Sequence, residues 1–305
     1  MQLPPTVHLT EVGPRDGLQM EPRVLSTTEK LDLIAGLASA GLKEIQVAAF
    51  VHPEKVPAMA DAEALMAVLP MRAEMQYSAL TLNLQGVVRA CRTPVPWIEI
   101  SLSAHDAHSR RNAGLSAARA LAQSGPMTAM AIGAGRKVRA SIQCAFGYED
   151  PADVAIDDVA ALAAQLLDQG IDRLVLADTT GLAAPPTVRR MLAAVAPLAG
   201  AIPVGLHLHD TRGLGLANVM VALEMGISHF DTSLGGLGGC PFIEGAAGNI
   251  ATEDALYLLH RLGIATGIDI GRIAALSRRL SDLFNRSLPG RIYRLAATHL
   301  DFGPR

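Results

Sequence analysis

The chain has 305 residues, of which 50% are hydrophobic and 18% charged, and its formal net charge is −3. So apolar a composition excludes intrinsic disorder, and the even scatter of Lys and Arg excludes the basic patch that neutralises a nucleic-acid backbone. Aromatic residues are scarce at 4%, so a core of Ala, Leu, Val and Ile is expected.

Short apolar or β-branched runs alternate with longer Ala- and Leu-rich stretches, the signature of βαβ units and a parallel sheet. Strands are expected at Val7–Val12, Glu44–Ala49, Gln76–Leu80, Trp97–Leu102, Val138–Cys144, Arg173–Ala177, Val204–His209 and His229–Ser233. Ser26-Thr27-Thr28-Glu29 forms a capping box that opens a helix to Ala40, with Gly41 placed to end it. Ala152–Gln169 before Gly170, and Gly215–Met225 before Gly226, repeat that ending, and an amphipathic helix is expected over Ile270–Asn285. Eight strand–helix pairs predict an α/β fold, a closed (β/α)8 TIM barrel. Residues 1–305 are expected to form one domain, with a short C-terminal helical extension over roughly 270–305 that packs across one end of the barrel.

Met1–Asp16 has no basic leader followed by an apolar segment, so a cytoplasmic protein is expected. The longest apolar run, Met191–Leu206, contains two prolines and two glycines and is too short to span a bilayer, which argues against membrane association. Cys91, Cys144 and Cys240 are odd in number and far apart, as reduced thiols are.

In a parallel barrel the loops after the strands form the active face. The first strand ends in Glu11-Val12-Gly13-Pro14-Arg15-Asp16-Gly17-Leu18-Gln19, which sets a cation beside a carboxylate between helix breakers; taken alone, it reads as a solvated surface turn. The seventh strand ends His207-Leu208-His209, and residues two apart on a strand point to one side, so both imidazoles can converge on a metal. Ring nitrogens suit several transition metals, and carboxylate and carboxamide partners shift the preference toward Mg2+ or Mn2+. After the eighth strand, four glycines among residues 235–239 precede Cys240, a loop suited to gating and acid/base work. Ser101–Asn112 carries two histidines and two arginines; it reads as a polar loop and helix start or as a contact for a CoA phosphate or substrate carboxylate.

Four segments together carry a resemblance: Glu11–Gln19 (E-V-G-P-R-D-G-L-Q), His207–Gly213 (H-L-H-D-T-R-G), Gly235–Pro241 (G-G-L-G-G-C-P) and Gly248–Asp254 (G-N-I-A-T-E-D). In this order they resemble the signature segments of the 3-hydroxy-3-methylglutaryl-CoA lyase family, part of a superfamily of metal-dependent barrels that also contains acyl-CoA-condensing synthases. The resemblance implies that Asp16, His207, His209 and Asn249 hold a divalent metal cation, Mg2+ or Mn2+. It makes Arg15 the electrostatic catalyst and Cys240 the proton-transfer residue. Gln19 and Asp178 match active-site positions, and Glu253 matches a supporting position that equally suits a first-turn carboxylate at a helix N-terminus. The implied partners are an acyl-CoA thioester substrate and a second copy of the chain in a homodimer.

One segment departs from the family pattern. Where relatives show Ile-Glu, two small hydroxyl residues and Phe, this chain has Ile45-Gln46-Val47-Ala48-Ala49-Phe50. Loss of that carboxylate leaves Arg15 with more positive potential toward the substrate, so Gln46 is expected to retune the pocket for its acyl group. The implied reaction is carbon–carbon cleavage of a 3-hydroxy-3-methylglutaryl-CoA-like thioester. The alternatives are lysis of citramalyl-CoA or an isoprenoid-derived homologue, the reverse condensation by a synthase, and a weakly active metal-binding homologue.

Overall fold

Eight parallel strands pair in chain order and close on themselves: β1 (His8–Glu11), β2 (Glu44–Ala49), β3 (Gln76–Thr81), β4 (Trp97–Ser103), β5 (Lys137–Gln143), β6 (Arg173–Asp178), β7 (Val204–Leu208) and β8 (His229–Thr232). The first and last strands meet with His8 opposite His229 and Thr10 opposite Asp231, which shuts the TIM barrel. The computed structural model describes residues 3–239 and 248–295. Every expected strand is present, with its ends displaced by no more than one residue.

The helices α1 (Thr27–Ser39), α2 (Ala62–Val68), α3 (Leu84–Cys91), α4 (Asp106–Ala113), α5 (Ala117–Gly133), α6 (Ile156–Leu167), α7 (Pro185–Ala199), α8 (Gly215–Glu224), α9 (Thr252–Arg261) and α10 (Ile270–Leu283) are laid between and after the strands. The capping box of α1 is formed: Ser26 Oγ accepts from Glu29 N at 3.3 Å and Glu29 Oε2 accepts from Ser26 N at 2.8 Å. Gly41 then takes φ +103°, and a Cβ there would strike the Gly267 carbonyl, so glycine is required. The helix expected from Ala152 begins four residues later, at Ile156. Asp153 instead spends its carboxylate on the backbone N–H groups of Tyr148, Glu149 and Asp150, which orders a loop. No helix among the described residues is long and apolar enough to cross a membrane.

The outer faces of the strands, such as Ile98, Ile100, Val138, Ala140 and Ile142, are buried beneath the helices as expected. The barrel interior differs from the apolar core that composition predicts. Glu44 pairs with Arg173, and Arg139 reaches across from β5 to Asp231 on β8 and to Glu99 on β4, all of them buried. Burial pushes Asp231 up, yet the Arg139 and His207 charges outweigh it and hold its carboxyl well below the usual range. Such a network is worth little over a well-packed apolar core, but removing one partner strands a buried charge at a cost of about 3–5 kcal/mol. The side chains that brace the barrel are therefore mutually dependent.

Beyond the eighth unit, α10 lies against α1 and against the turn Leu234–Gly236 that follows β8. Leu288 is buried beside Gly235, and Gly290 N donates to Gly235 O at 2.8 Å, so the chain up to residue 295 braces the loop at the C-terminal mouth.

Candidate active site

At the end of β1 the residues Gly13–Gly17 wind into one π-type turn in which Val12 O accepts from the N–H of Arg15, Asp16 and Gly17. Glu11 fixes this turn from below. Its carboxylate accepts from Gly13 N (2.8 Å), Leu234 N (2.9 Å) and the Thr252 hydroxyl (2.6 Å), tying β1 to the segments that follow β8. A side chain at Gly13 would collide with Glu11 and Leu234. The tight turn turns Arg15 and Asp16 into the barrel mouth, both buried and joined as an ion pair.

At the end of β7 and just beyond it, His207 and His209 project the same way, with their Nε2 atoms 3.1 Å apart and His209 Nε2 4.0 Å from Asp16 Oδ2. One ligand atom from each of Asp16, His207 and His209 lies within 4.8 Å of the others. His207 Nδ1 sits 3.1 Å from Asp231 Oδ2, a contact that orients the ring so that Nε2 faces the cluster. Asn249 arrives by a short antiparallel bridge to His209, supported by Ile250 N donating to Leu208 O at 3.1 Å. Its Nδ2 donates to Asp16 Oδ2 (2.7 Å) and Leu237 O (3.0 Å), and its Oδ1 is buried without a hydrogen-bond partner.

The electrostatics favour ligation. Burial pushes Asp16 up, but Arg15, His207 and His209 outweigh it and lower its pKa, so the carboxylate is ionised at neutral pH. Burial, then the neighbouring His207 charge, pushes His209 down to about 4, which keeps its imidazole neutral and its lone pair available. Two imidazole edges, an anionic carboxylate and an orphaned amide carbonyl in one buried cluster form an acceptor set that fits a divalent cation.

A cavity of about 340 Å³ opens above this cluster, lined by Arg15, Asp16, His207 and His209 together with Gln19, Glu99, Ser141, Gln143, His108 and Asn112. Gln19 thus lines the same cavity as the cluster. Asp178 is buried at the end of β6, where its Oδ1 accepts from Leu182 N and Ala183 N and shapes the turn before α7; its neighbours Ala177 and Thr179 line the cavity. Burial raises Asp178 to about 7. Glu253 lies beneath the glycine loop, accepting from Gly235 N with both oxygens, and burial raises it to about 8. Cys240 lies outside the described residues.

Of the Ser101–Asn112 segment, His108 and Asn112 reach the cavity. Arg110 instead pairs with Asp106 on the surface, and Arg111 bonds the Tyr148 hydroxyl. Sequence reasoning missed Glu11, Glu99, Arg139 and Asp231. The readable signal was an ionisable residue inside an otherwise apolar strand, as in Trp97-Ile98-Glu99-Ile100. It also missed His52 and Lys55, which line the cavity from the β2–α2 connection.

Comparison with known proteins identifies the family. Residues 6–280 match the HMGL-like family model. A Pseudomonas aeruginosa protein named 3-hydroxy-3-isohexenylglutaryl-CoA/hydroxy-methylglutaryl-CoA lyase is 38% identical over 94% of this chain and 96% of its own. The crystal structure of the Bacillus subtilis HMG-CoA lyase superposes with a TM-score of 0.92 at 36% identity, covering 96% of this chain and 99% of that one. An Acinetobacter baumannii HMG-CoA lyase solved with coenzyme A and 3-methylmalate gives a TM-score of 0.90 at 35% identity, covering 95% of each chain. The barrel, the buried acceptor cluster and the alignment over nearly the whole length agree: the chain belongs to the HMGL-like family.

Proposed function

We propose that this chain cleaves 3-hydroxy-3-methylglutaryl-CoA into acetyl-CoA and acetoacetate. The observation that carries the reading is the meeting of Asp16, His207 and His209, with Arg15 beside them, on the wall of one cavity in a chain of this family. Asp16, His207, His209 and Asn249 would hold the cation, Mg2+ or Mn2+, whose chemistry is to polarise the substrate's 3-hydroxyl and carboxylate oxygens. In the reaction a base takes the 3-hydroxyl proton, the C2–C3 bond breaks as C3 becomes the ketone of acetoacetate, and the electron pair of that bond passes to the thioester enolate. Arg15 offers that enolate a guanidinium whose planar N–H donors suit a developing oxyanion. Asp231 holds His207 in the ring orientation ligation needs, and Gln46 anchors Arg15 through its Nε. Cys240 supplies or relays the proton that converts the enolate carbon to the methyl of acetyl-CoA. We further propose one catalytic barrel with its helical extension, working as a homodimer in the cytoplasm.

The test is direct: purified protein with 3-hydroxy-3-methylglutaryl-CoA should release acetyl-CoA and acetoacetate in equal amounts, lose this with a chelator, and regain it with Mg2+ or Mn2+. Assaying citramalyl-CoA and 3-hydroxy-3-isohexenylglutaryl-CoA alongside ranks the acyl substituents. No acetyl-CoA from any of the three, at full metal content, would reduce the protein to a metal-binding homologue.

A further inference from the structure

Gln46 is fully buried on β2 and bridges two groups of opposite character. Its Oε1 accepts from Arg15 Nε, and its Nε2 donates to Glu99 Oε2 at 2.6 Å. A guanidinium can only donate and a carboxylate can only accept, so this amide satisfies both neighbours in one orientation. Glu99 is itself held by Arg139, whose Nε lies 2.6 Å from the same Oε2, and Arg139 also pairs with Asp231, the partner of His207. A continuous chain of buried polar contacts thus runs from Arg15 through Gln46, Glu99, Arg139 and Asp231 to His207. Glu99 stands at its midpoint and lines the cavity with both ends.

We infer that Glu99 is a positioning residue for Arg15, acting through Gln46, and that residues 46 and 99 work only as a matched amide–carboxylate pair. This inference rests on the lyase reading above. A glutamate at 46 would set two carboxylates in hydrogen-bond contact, and one would have to take a proton or swing off its partner. The carboxylate on β4 therefore explains the amide on β2: the negative charge stands two strands further round the barrel, and among the described residues Asp16 alone pairs with the guanidinium directly.

The test is a three-variant cycle of Gln46→Glu, Glu99→Gln and the double exchange, read by kcat, KM and thermal midpoint with the metal-loaded protein. Gln46→Glu should lower kcat at least ~10-fold with a smaller change in KM, as expected when a buried polar group loses its match. Glu99→Gln removes the negative charge that pairs with Arg139 and should also lower kcat. The double exchange keeps the net charge and restores a donor–acceptor match between residues 46 and 99 and between residue 46 and Arg15. It should recover kcat to within ~5-fold of wild type and exceed both singles. If Gln46→Glu does not fold, the double variant against Glu99→Gln alone still decides. Additive losses, a double variant no better than either single, or recovery of thermal midpoint without recovery of kcat would overturn the inference. An inactive wild-type protein would instead overturn the lyase reading.

Discussion

His207 Nδ1 stands 3.1 Å from Asp231 Oδ2, and the same carboxylate holds the Arg139 guanidinium. The ring that faces the cavity is therefore braced from behind by a carboxylate on the neighbouring strand β8, itself held by Arg139 from β5. Asp231→Asn should weaken divalent-cation binding about 10–100-fold, since outer partners of metal-bound histidines contribute on that scale. Calorimetric titration with Mn2+ reads this, and an unchanged Kd would mean the imidazole needs no such brace.

Asp16→Ala and His209→Ala each remove one donor from the cluster within 4.8 Å. Both should leave the purified protein depleted of divalent metal by elemental analysis and without measurable turnover. Full occupancy in either variant would exclude that residue as a ligand.

Cys240→Ser should cut turnover on the order of 100-fold, the usual worth of a positioned proton donor, while metal content stays at the wild-type level. Metal lost in parallel with activity would make the thiol a structural group instead.

Burial pushes the Glu253 carboxyl from 4.5 up to about 8. The folded state then retains a proton that the unfolded chain has already released. Its stabilising contribution is complete below about pH 4.5 and is lost as the pH climbs through about 8. Glu253→Gln should flatten this decline, so that the variant gains on wild type by on the order of 5 °C in unfolding midpoint between pH 5 and pH 9. Curves that run parallel across the range would show that Glu253 is not the group responsible.

The barrel was readable from sequence because its strands are buried on both faces and bounded by helix-stopping glycines such as Gly41. The motif residues were readable for a related reason: Arg15, Asp16, His207 and His209 sit at strand ends, where charge has no packing role. What stayed hidden was pairing at a distance. Glu99 finds Gln46 across 53 positions and Arg139 finds Asp231 across 92, and no local period carries such partnerships. Asp153 failed for the opposite reason, since its role is local but competes with helix initiation for the same backbone donors. Composition leaves Arg110 and Arg111 open between a polar helix start and a ligand contact; the geometry of α4 sends them to Asp106 and Tyr148.

The cylinder is stitched shut where β1 meets β8. Asp16 follows the first of these strands and Asn249 the segment after the second, so their 2.7 Å contact lies across the stitch. An ion shared by them would clasp the first and last strands of the sheet. Each tenfold excess of free ion over its Kd would then add ~1.4 kcal/mol to the closed form. Starvation for that ion would do more than silence the chemistry: it would thin the population of intact cylinders and leave the loosened ends open to proteolysis.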